Sequence, residues 1–344
     1  MAYEVTIGIP VYNVEKYIRL TMDSTLAQTF ESIEFLVLDD CGTDSSMNIV
    51  REYQQQHPRG KDIRIVRQPQ NMGIGLGRNR IIDEAQGRYL FFLDADDILP
   101  QDAIYVLYKA MMQHHAQIVF GSHEHITDYG EDAQTEMVLY TPMSFDNNED
   151  FCHYAYDKYG NISANVWKYL IDISVYRDNH LRFENINFWE DFALTIDLPT
   201  YIDRAVFLSD VTYRYFSRYG TLSNNQERSR IEKDEIVKIA EVIGKLKAQG
   251  ERIKGKSYYL KRCYKVMMTE FYMVCNILKH RNIIVPSFTA RELRDMMRSP
   301  LSLSEVMGFS KLNLSNMLFY ILGILPSRLS VIVMWGMAKM KHLV

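Results

Sequence analysis

Short apolar runs alternate with amphipathic stretches over the first third of the chain. Strand-like runs fall at Val5–Pro10, Ile33–Leu38, Ile63–Arg67 and Tyr89–Leu93. Between them, at about Val14–Gln28, Ser45–Gln56 and Ile74–Ala85, apolar residues recur at helical spacing. Short apolar strands joined by helices predict an α/β fold with a mostly parallel, Rossmann-like sheet and helices on both faces. Ligands of such sheets sit at the carboxyl ends of the strands. Pro10–Asn13, Asp39–Asp44 and Asp94–Asp97 all fall there, so three strand ends should open on one crevice. After Gln117–Ser122 the alternation becomes irregular, and an antiparallel or mixed addition is expected through Tyr215.

From Arg228 onward the pattern is helical. Ile236, Ile239, Ala240, Ile243 and Leu246 mark one helix, ended by Gly250, and a second is expected over Ser257–Leu278, with Lys261, Arg262 and Lys265 as its basic residues. The predicted division is therefore residues 1–225 for the sheet domain and 226–344 for a helical region. In the tail, Met317–Leu325 and Leu329–Ala338 are apolar runs separated by Pro326-Ser327-Arg328. A membrane-spanning helix needs about 20 apolar residues, and an arginine at its centre costs about 2.5–3.5 kcal/mol. Two short helices lying in a headgroup layer fit better; a buried core or dimer helix pair is the alternative.

At 344 residues and 47% hydrophobic content, the chain can bury the core of one large domain plus an appendage, or of two domains. Cys41, Cys152, Cys263 and Cys275 have no Cys-x-x-Cys spacing, which argues against a zinc site or a disulfide framework and for a reducing compartment. The first residues read as a strand rather than a signal peptide, so a cytoplasmic chain is expected, peripheral to the inner face of the cell membrane. The net charge of −4 conceals a division. Residues 228–344 hold 21 Lys and Arg against 9 Asp and Glu, and residues 1–227 hold 18 against 34. An acidic half suits a cation-dependent site, and a basic half suits an anionic surface, lipid or nucleic acid.

Candidate chemistry is densest where Asp94, Ala95, Asp96 and Asp97 follow the run Arg88-Tyr-Leu-Phe-Phe-Leu93. Two carboxylates about 4 Å apart repel by roughly 4 kcal/mol at an effective dielectric near 20. All-oxygen ligands favour Mg²⁺ or Mn²⁺, held by one or two carboxylates with the remaining positions left to water and phosphate. An Asp-rich turn capping a helix near Pro100 is the structural alternative. Pro10 keeps the backbone extended after the first strand, and Tyr12 offers a ring for a nucleobase. Gly73-Ile-Gly-Leu-Gly77 is not a dinucleotide fingerprint, because it follows the third strand and Arg78 stands where the third glycine would be.

Ile9-Pro-Val-Tyr-Asn-Val-Glu-Lys-Tyr-Ile18, Leu36-Val-Leu-Asp-Asp-Cys-Gly-Thr-Asp-Ser45, Asn71-x-Gly73, Arg78-Asn79, the Gly87–Asp97 segment and Trp189-Glu-Asp191 together resemble the ordered motifs of glycosyltransferase family 2, of GT-A fold. The resemblance covers roughly residues 4–225. It implies a metal-dependent, inverting hexosyl- or N-acetylhexosaminyltransferase of bacterial surface-glycan synthesis. The donor implied is a UDP-sugar, and the acceptor a hydroxyl of a glycan or lipid-linked molecule at the membrane surface. By the same resemblance Pro10, Tyr12, Asn13, Glu15, Asp39, Asp40, Asn71, Gly73, Arg78, Asp94, Ala95 and Asp96 line the donor site. Within it Asp40 accepts from uracil, Arg78 meets the diphosphate or ribose, and Asp94 and Asp96 hold the cation. Asp191 becomes the general base, and Trp189, Glu190, Trp167, Lys168 and Arg218 face the acceptor.

Three departures stand out. Gly77 replaces a common Ala, Ile81 a common Gly, and Phe216 an arginine, in a stretch whose Thr221 aligns with a hydroxyl position. Two rivals are weighed against this assignment. A nucleotidyltransferase should carry a glycine- and lysine-rich loop where Pro10–Glu15 stands, and a nucleic-acid binder should interleave aromatics with its basic residues. Neither pattern is present.

Overall fold

A computed structural model describes residues 3–128, 133–157, 162, 165–186, 189–218 and 229–343. The chain forms two compact units, residues 1–151 with 164–226, and residues 152–163 with 227–344.

In the first unit, β1 (Tyr3–Val11), β2 (Ile33–Asp39), β3 (Ile63–Arg67) and β4 (Gly87–Phe92) are parallel and alternate with α1 (Ile18–Leu26), α2 (Ser46–Gln56) and α3 (Ile74–Glu84). α4 (Ala103–Gln113) follows β4, and β5 (Ile118–Asp128), β6 (Gln134–Val138) and β7 (Met143–Phe145) lead to α5 (Asn148–Ala155). β8 (Tyr169–Asp172), α6 (Ser174–Asp178), α7 (Glu190–Thr195) and β9 (Ala205–Arg218) complete it. The sheet order is β3-β2-β1-β4-β8-β5-β9-β7, with β6 on β5. β8 runs antiparallel to both β4 and β5, and β5 pairs parallel with β9, so the irregular stretch after β4 is a mixed extension of a mostly parallel sheet.

Every residue of β2 is buried, as a strand covered on both faces requires. β1 extends past Pro10, which lies inside the strand opposite Leu38 rather than after it. Its missing N–H is tolerated because β4 pairs with β1 only as far as Gly8. Two of the three departures have a packing cause. A Cβ at Gly8 would collide with Ile81, so the small residue sits on the strand here and the large one on the helix, and a Cβ at Gly77 would stand 2.9 Å from Leu38 Cδ2.

In the second unit, β10 (Ile231–Glu232) precedes α8 (Lys233–Gln249) and α9 (Tyr259–Lys279), and β11 (Ile284–Val285) pairs with β10. Arg262, one of the basic residues of α9, is 1% exposed and donates to the Leu246 carbonyl at 2.8 Å. α10 (Ala290–Met296), α11 (Leu303–Val306), α12 (Lys311–Ile324) and α13 (Ser327–Met340) close the chain. Each tail helix has two faces. Phe319, Leu322, Met334 and Ala338 are buried, whereas Leu314, Leu318, Ile321 and Ile324 on α12, and Leu329, Ile332 and Met340 on α13, are exposed. No helix among the described residues is long and apolar enough to cross a membrane.

Candidate active site

The strand ends converge through backbone and side-chain bonds. Asn13, in the left-handed region at φ 52°, accepts the Thr43 N–H at 2.7 Å, and Glu15 accepts the Ser45 N–H at 2.9 Å, so the turns after β1 and β2 are stitched together. Tyr12 beside them is 46% exposed, its ring open to a planar ligand. Asp39 accepts the Cys41 N–H and lies 3.6 Å from Arg67 and 3.8 Å from Arg51. Asp40 is buried, and its two oxygens accept from Met72 N–H (2.9 Å) and Gly73 N–H (3.1 Å). Asn71 also accepts from Gly73. Gly73 itself, at φ 82°, is the cap of α3, a conformation that a side chain would strain. Burial nonetheless raises the Asp40 carboxyl above its ordinary range.

The three acids after β4 separate. Asp94 and Asp96 are each about a quarter exposed. Asp97 turns inward at 1% exposure, where it accepts from the Tyr213 hydroxyl and the Phe216 N–H, both at 2.8 Å. Burial, then the Asp96 and Asp94 charges, push its carboxyl well above the usual range. The Tyr213 hydroxyl accepts the Asp94 N–H at 3.2 Å, and the Thr21 hydroxyl reaches the Ala95 and Asp97 carbonyls, both at 2.9 Å. Ala95 is buried. Thr21 carries no sequence signal that separates it from ordinary core residues.

Arg78, expected at the donor diphosphate or ribose, joins three carboxylates of the site. It is 3% exposed, and its guanidinium donates to Asp94 (3.0 Å), Glu190 (2.9 Å) and Asp191. Burial alone would ease loss of its proton, but the three carboxylates raise its pKa. The same burial, with Glu190 and Asp94 adding like charge against the opposing Arg78, lifts the Asp191 carboxyl to about 7. Asn79 holds the approach to α7 by a reciprocal pair with the Phe183 backbone, at 2.9 and 2.8 Å. Trp189, at φ 69° beside Phe192, begins α7. Arg218, expected among the acceptor residues, bonds the Asp96 carbonyl at 2.6 Å and lies 3.6 Å from its carboxylate, packed against the Tyr17 and Phe216 rings. Trp167 is buried, and Lys168 lies behind it; Thr221 falls outside the described residues.

The donor set suits a hard divalent cation. Burial, and then the Asp94 charge, push the Asp96 carboxyl up to about 6 against the opposing Arg218, a repulsion that a cation bound to both acids would relieve. Among the described residues no group of three His, Cys, Asp or Glu is placed to hold a metal. Two carboxylates leave the other positions to water and phosphate oxygens, as Mg²⁺ favours.

Residues 6–171 match the family model described as Glycosyl transferase family 2. The match takes in just under half of the chain, and those residues are similar to that family's domain. The glycosyltransferase GlyA of Streptococcus pneumoniae is 29% identical over 237 residues, 64% of this chain and 31% of that protein. GlyG of the same organism is 25% identical over 239 residues, 66% of this chain and 75% of that one. The chain thus spans about a third of one relative and three quarters of the other. The crystal structure of S. aureus TarS residues 1–349 in complex with UDP-GlcNAc superposes with a TM-score of 0.62 at 18% identity, over 98% of this chain and 91% of that one, a likeness of fold. The family 2 match ends before Glu190, Asp191 and Arg218. Arg78 and Asp96, inside it, tie those later residues to the strand ends.

Proposed function

We propose that this chain is a metal-dependent, inverting glycosyltransferase that moves a hexosyl or N-acetylhexosaminyl group from a UDP-sugar to a hydroxyl of a glycan or lipid-linked acceptor in bacterial polysaccharide synthesis. One observation carries the reading: Asp94 and Asp191, 97 positions apart, share the single guanidinium of Arg78. A carboxylate for the cation and a carboxylate for the acceptor proton therefore border one site. The UDP-GlcNAc bound by the TarS structure supports the donor class, and the glycosyltransferase relatives support glycosyl transfer.

Asp94 and Asp96 would hold Mg²⁺ or Mn²⁺, which neutralises charge on the departing diphosphate. Tyr12 stacks on the base. Each Asp40 oxygen keeps a second lone pair beyond its backbone bond, enough to accept the uracil imide N–H. Asp191 takes the acceptor proton as the hydroxyl oxygen attacks the sugar, and Glu190 and Trp189 position the acceptor. Among sugar nucleotides assayed with Mn²⁺ for nucleoside diphosphate release, one UDP-sugar is expected to be turned over and EDTA to abolish the release. Equal release with EDTA present would end the metal assignment.

The exposed apolar stripes of α12 and α13 are bordered by the exposed Lys311, Arg328, Lys339 and Lys341, a combination that supports a helix pair lying on an anionic membrane. Ile324→Asp with Ile332→Asp is expected to reduce sedimentation with vesicles containing phosphatidylglycerol. Undiminished sedimentation would show that these stripes face something else.

A further inference from the structure

Lys168 is 8% exposed, and no hydrogen bond or ion pair joins its ammonium to any described residue. It lies over the Trp167 ring, with Nζ 5.2 Å from the ring centroid. An ammonium on a side chain this enclosed, with three donors and no acceptor among the described residues, is costly, and proteins rarely keep one without a use. The groups behind it are basic as well. His123, 5% exposed, stands edge-on to Trp167 at 5.1 Å with Nδ1 unbonded, and the buried Nε2 of His125 is unbonded too. Burial lowers the Lys168 ammonium to about 8, and burial with the Lys168 and His125 charges drives His123 down to about 3. Among the described residues no carboxylate acts on Lys168 or His123, so the cluster has donors and cationic character.

Its position relates it to the site. Trp167 stacks on Tyr213 with ring centroids 4.3 Å apart, and the Tyr213 hydroxyl is the group that braces Asp94 and Asp97. Two residues before Lys168, the Val166 N–H bonds the Asp191 carboxylate. Lys168 is thus tied by short covalent and stacking links to the proposed base on one side and the proposed cation loop on the other.

We infer that Lys168, backed by His123 and His125, is a subsite for an anionic group, phosphate or carboxylate, carried by the acceptor close to the hydroxyl that is glycosylated. The inference rests on the acceptor side assigned above, but its test needs neither donor nor turnover. A planar or tetrahedral oxyanion supplies the acceptors that the ammonium lacks, with an imidazole N–H as a further donor. An acceptor bearing such a group would be held in register by its charge, and a neutral glycan would leave the ammonium unsatisfied, which makes this residue a determinant of specificity.

The experiment is a thermal-shift and calorimetric titration of the full chain with glycerol 3-phosphate and with glucuronate, against glycerol and glucose, each repeated with UDP and Mn²⁺ present. One charged probe is expected to raise the melting temperature and to bind at least about tenfold more tightly than its neutral counterpart, the scale of a charged hydrogen bond. Which of the two binds distinguishes a phosphate-bearing from a uronate-bearing acceptor. Lys168→Gln should remove that preference and Lys168→Arg retain most of it. Lys168→Met, which replaces the unsatisfied charge by an apolar chain of similar length, should melt at or above the wild-type temperature without ligand and show no shift with the anion. Equal binding of charged and neutral probes, an undiminished preference in Lys168→Gln, or displacement of the anion by UDP would each overturn the assignment. The last outcome would move Lys168 to the donor. Anion binding without turnover of any sugar nucleotide would leave the subsite standing and sink the transferase reading instead.

Discussion

Asp191→Asn is expected to slow sugar transfer by roughly 10²–10⁴-fold, the usual worth of a positioned general base, while leaving UDP-sugar affinity nearly unchanged. Binding should survive because Arg78 keeps Asp94 and Glu190 as partners and the amide oxygen can still accept from the guanidinium. Asp191 must be ionised to act, and its carboxyl is lifted to about 7. In the wild type kcat/KM should therefore rise about tenfold per pH unit below that value and level off above it. In the variant that limb should disappear, leaving a flat, low profile. A variant that loses donor affinity in proportion to its rate would place Asp191 in the donor pocket and remove it as the base.

The parts of the site that a reader of the sequence can find are those where polarity breaks an apolar run. Asp39, Asp40, Asp94, Asp96 and Asp97 announce themselves because each group directly follows an unbroken apolar run, Phe35–Leu38 or Tyr89–Leu93. What those acids do is a different matter. Asp94, Asp96 and Asp97 are chemically identical in the chain, and only the return of β9, with Tyr213 and Phe216, selects Asp97 for burial. Arg78 shows no partners in the chain, and only the folding of α7 against it brings Glu190 and Asp191 to its guanidinium. Pairings across more than a hundred positions leave no local signal.

Glycines illustrate the same limit. Gly77 and Ile81 look like faults in a motif, yet Gly8 and Leu38 on the neighbouring strands make both of them good packing. The tail shows why periodicity fails when both faces of a helix are apolar. Phe319 and Leu322 are core and Leu314, Leu318 and Ile321 are surface, and the two sets differ in what covers them rather than in their chemistry.

Arg78→Met should be the most damaging single change in the first unit. Its side chain has about the right length to fill the space, so the cost is electrostatic: three carboxylates, each less than a third exposed, lose their shared cation. Breaking a buried ion pair from one side typically costs about 3–5 kcal/mol, enough to consume much of the stability of an ordinary domain. The deficit has a predictable pH dependence. Asp191 already has a raised carboxyl pKa with Arg78 opposing the rise, so without Arg78 its ionised form costs more. A group whose folded-state pKa lies above its unfolded value stabilises at low pH and ceases to do so as pH climbs through the folded value. The variant should therefore fall furthest below wild type at pH 8 and recover part of the difference at pH 5. Arg78→Lys should rescue poorly, since a single ammonium cannot present the fork that meets Asp94 with one nitrogen and the Glu190–Asp191 pair with the other. Urea denaturation at the two pH values reads the effect directly, and a deficit independent of pH would mean that Arg78 acts through packing alone.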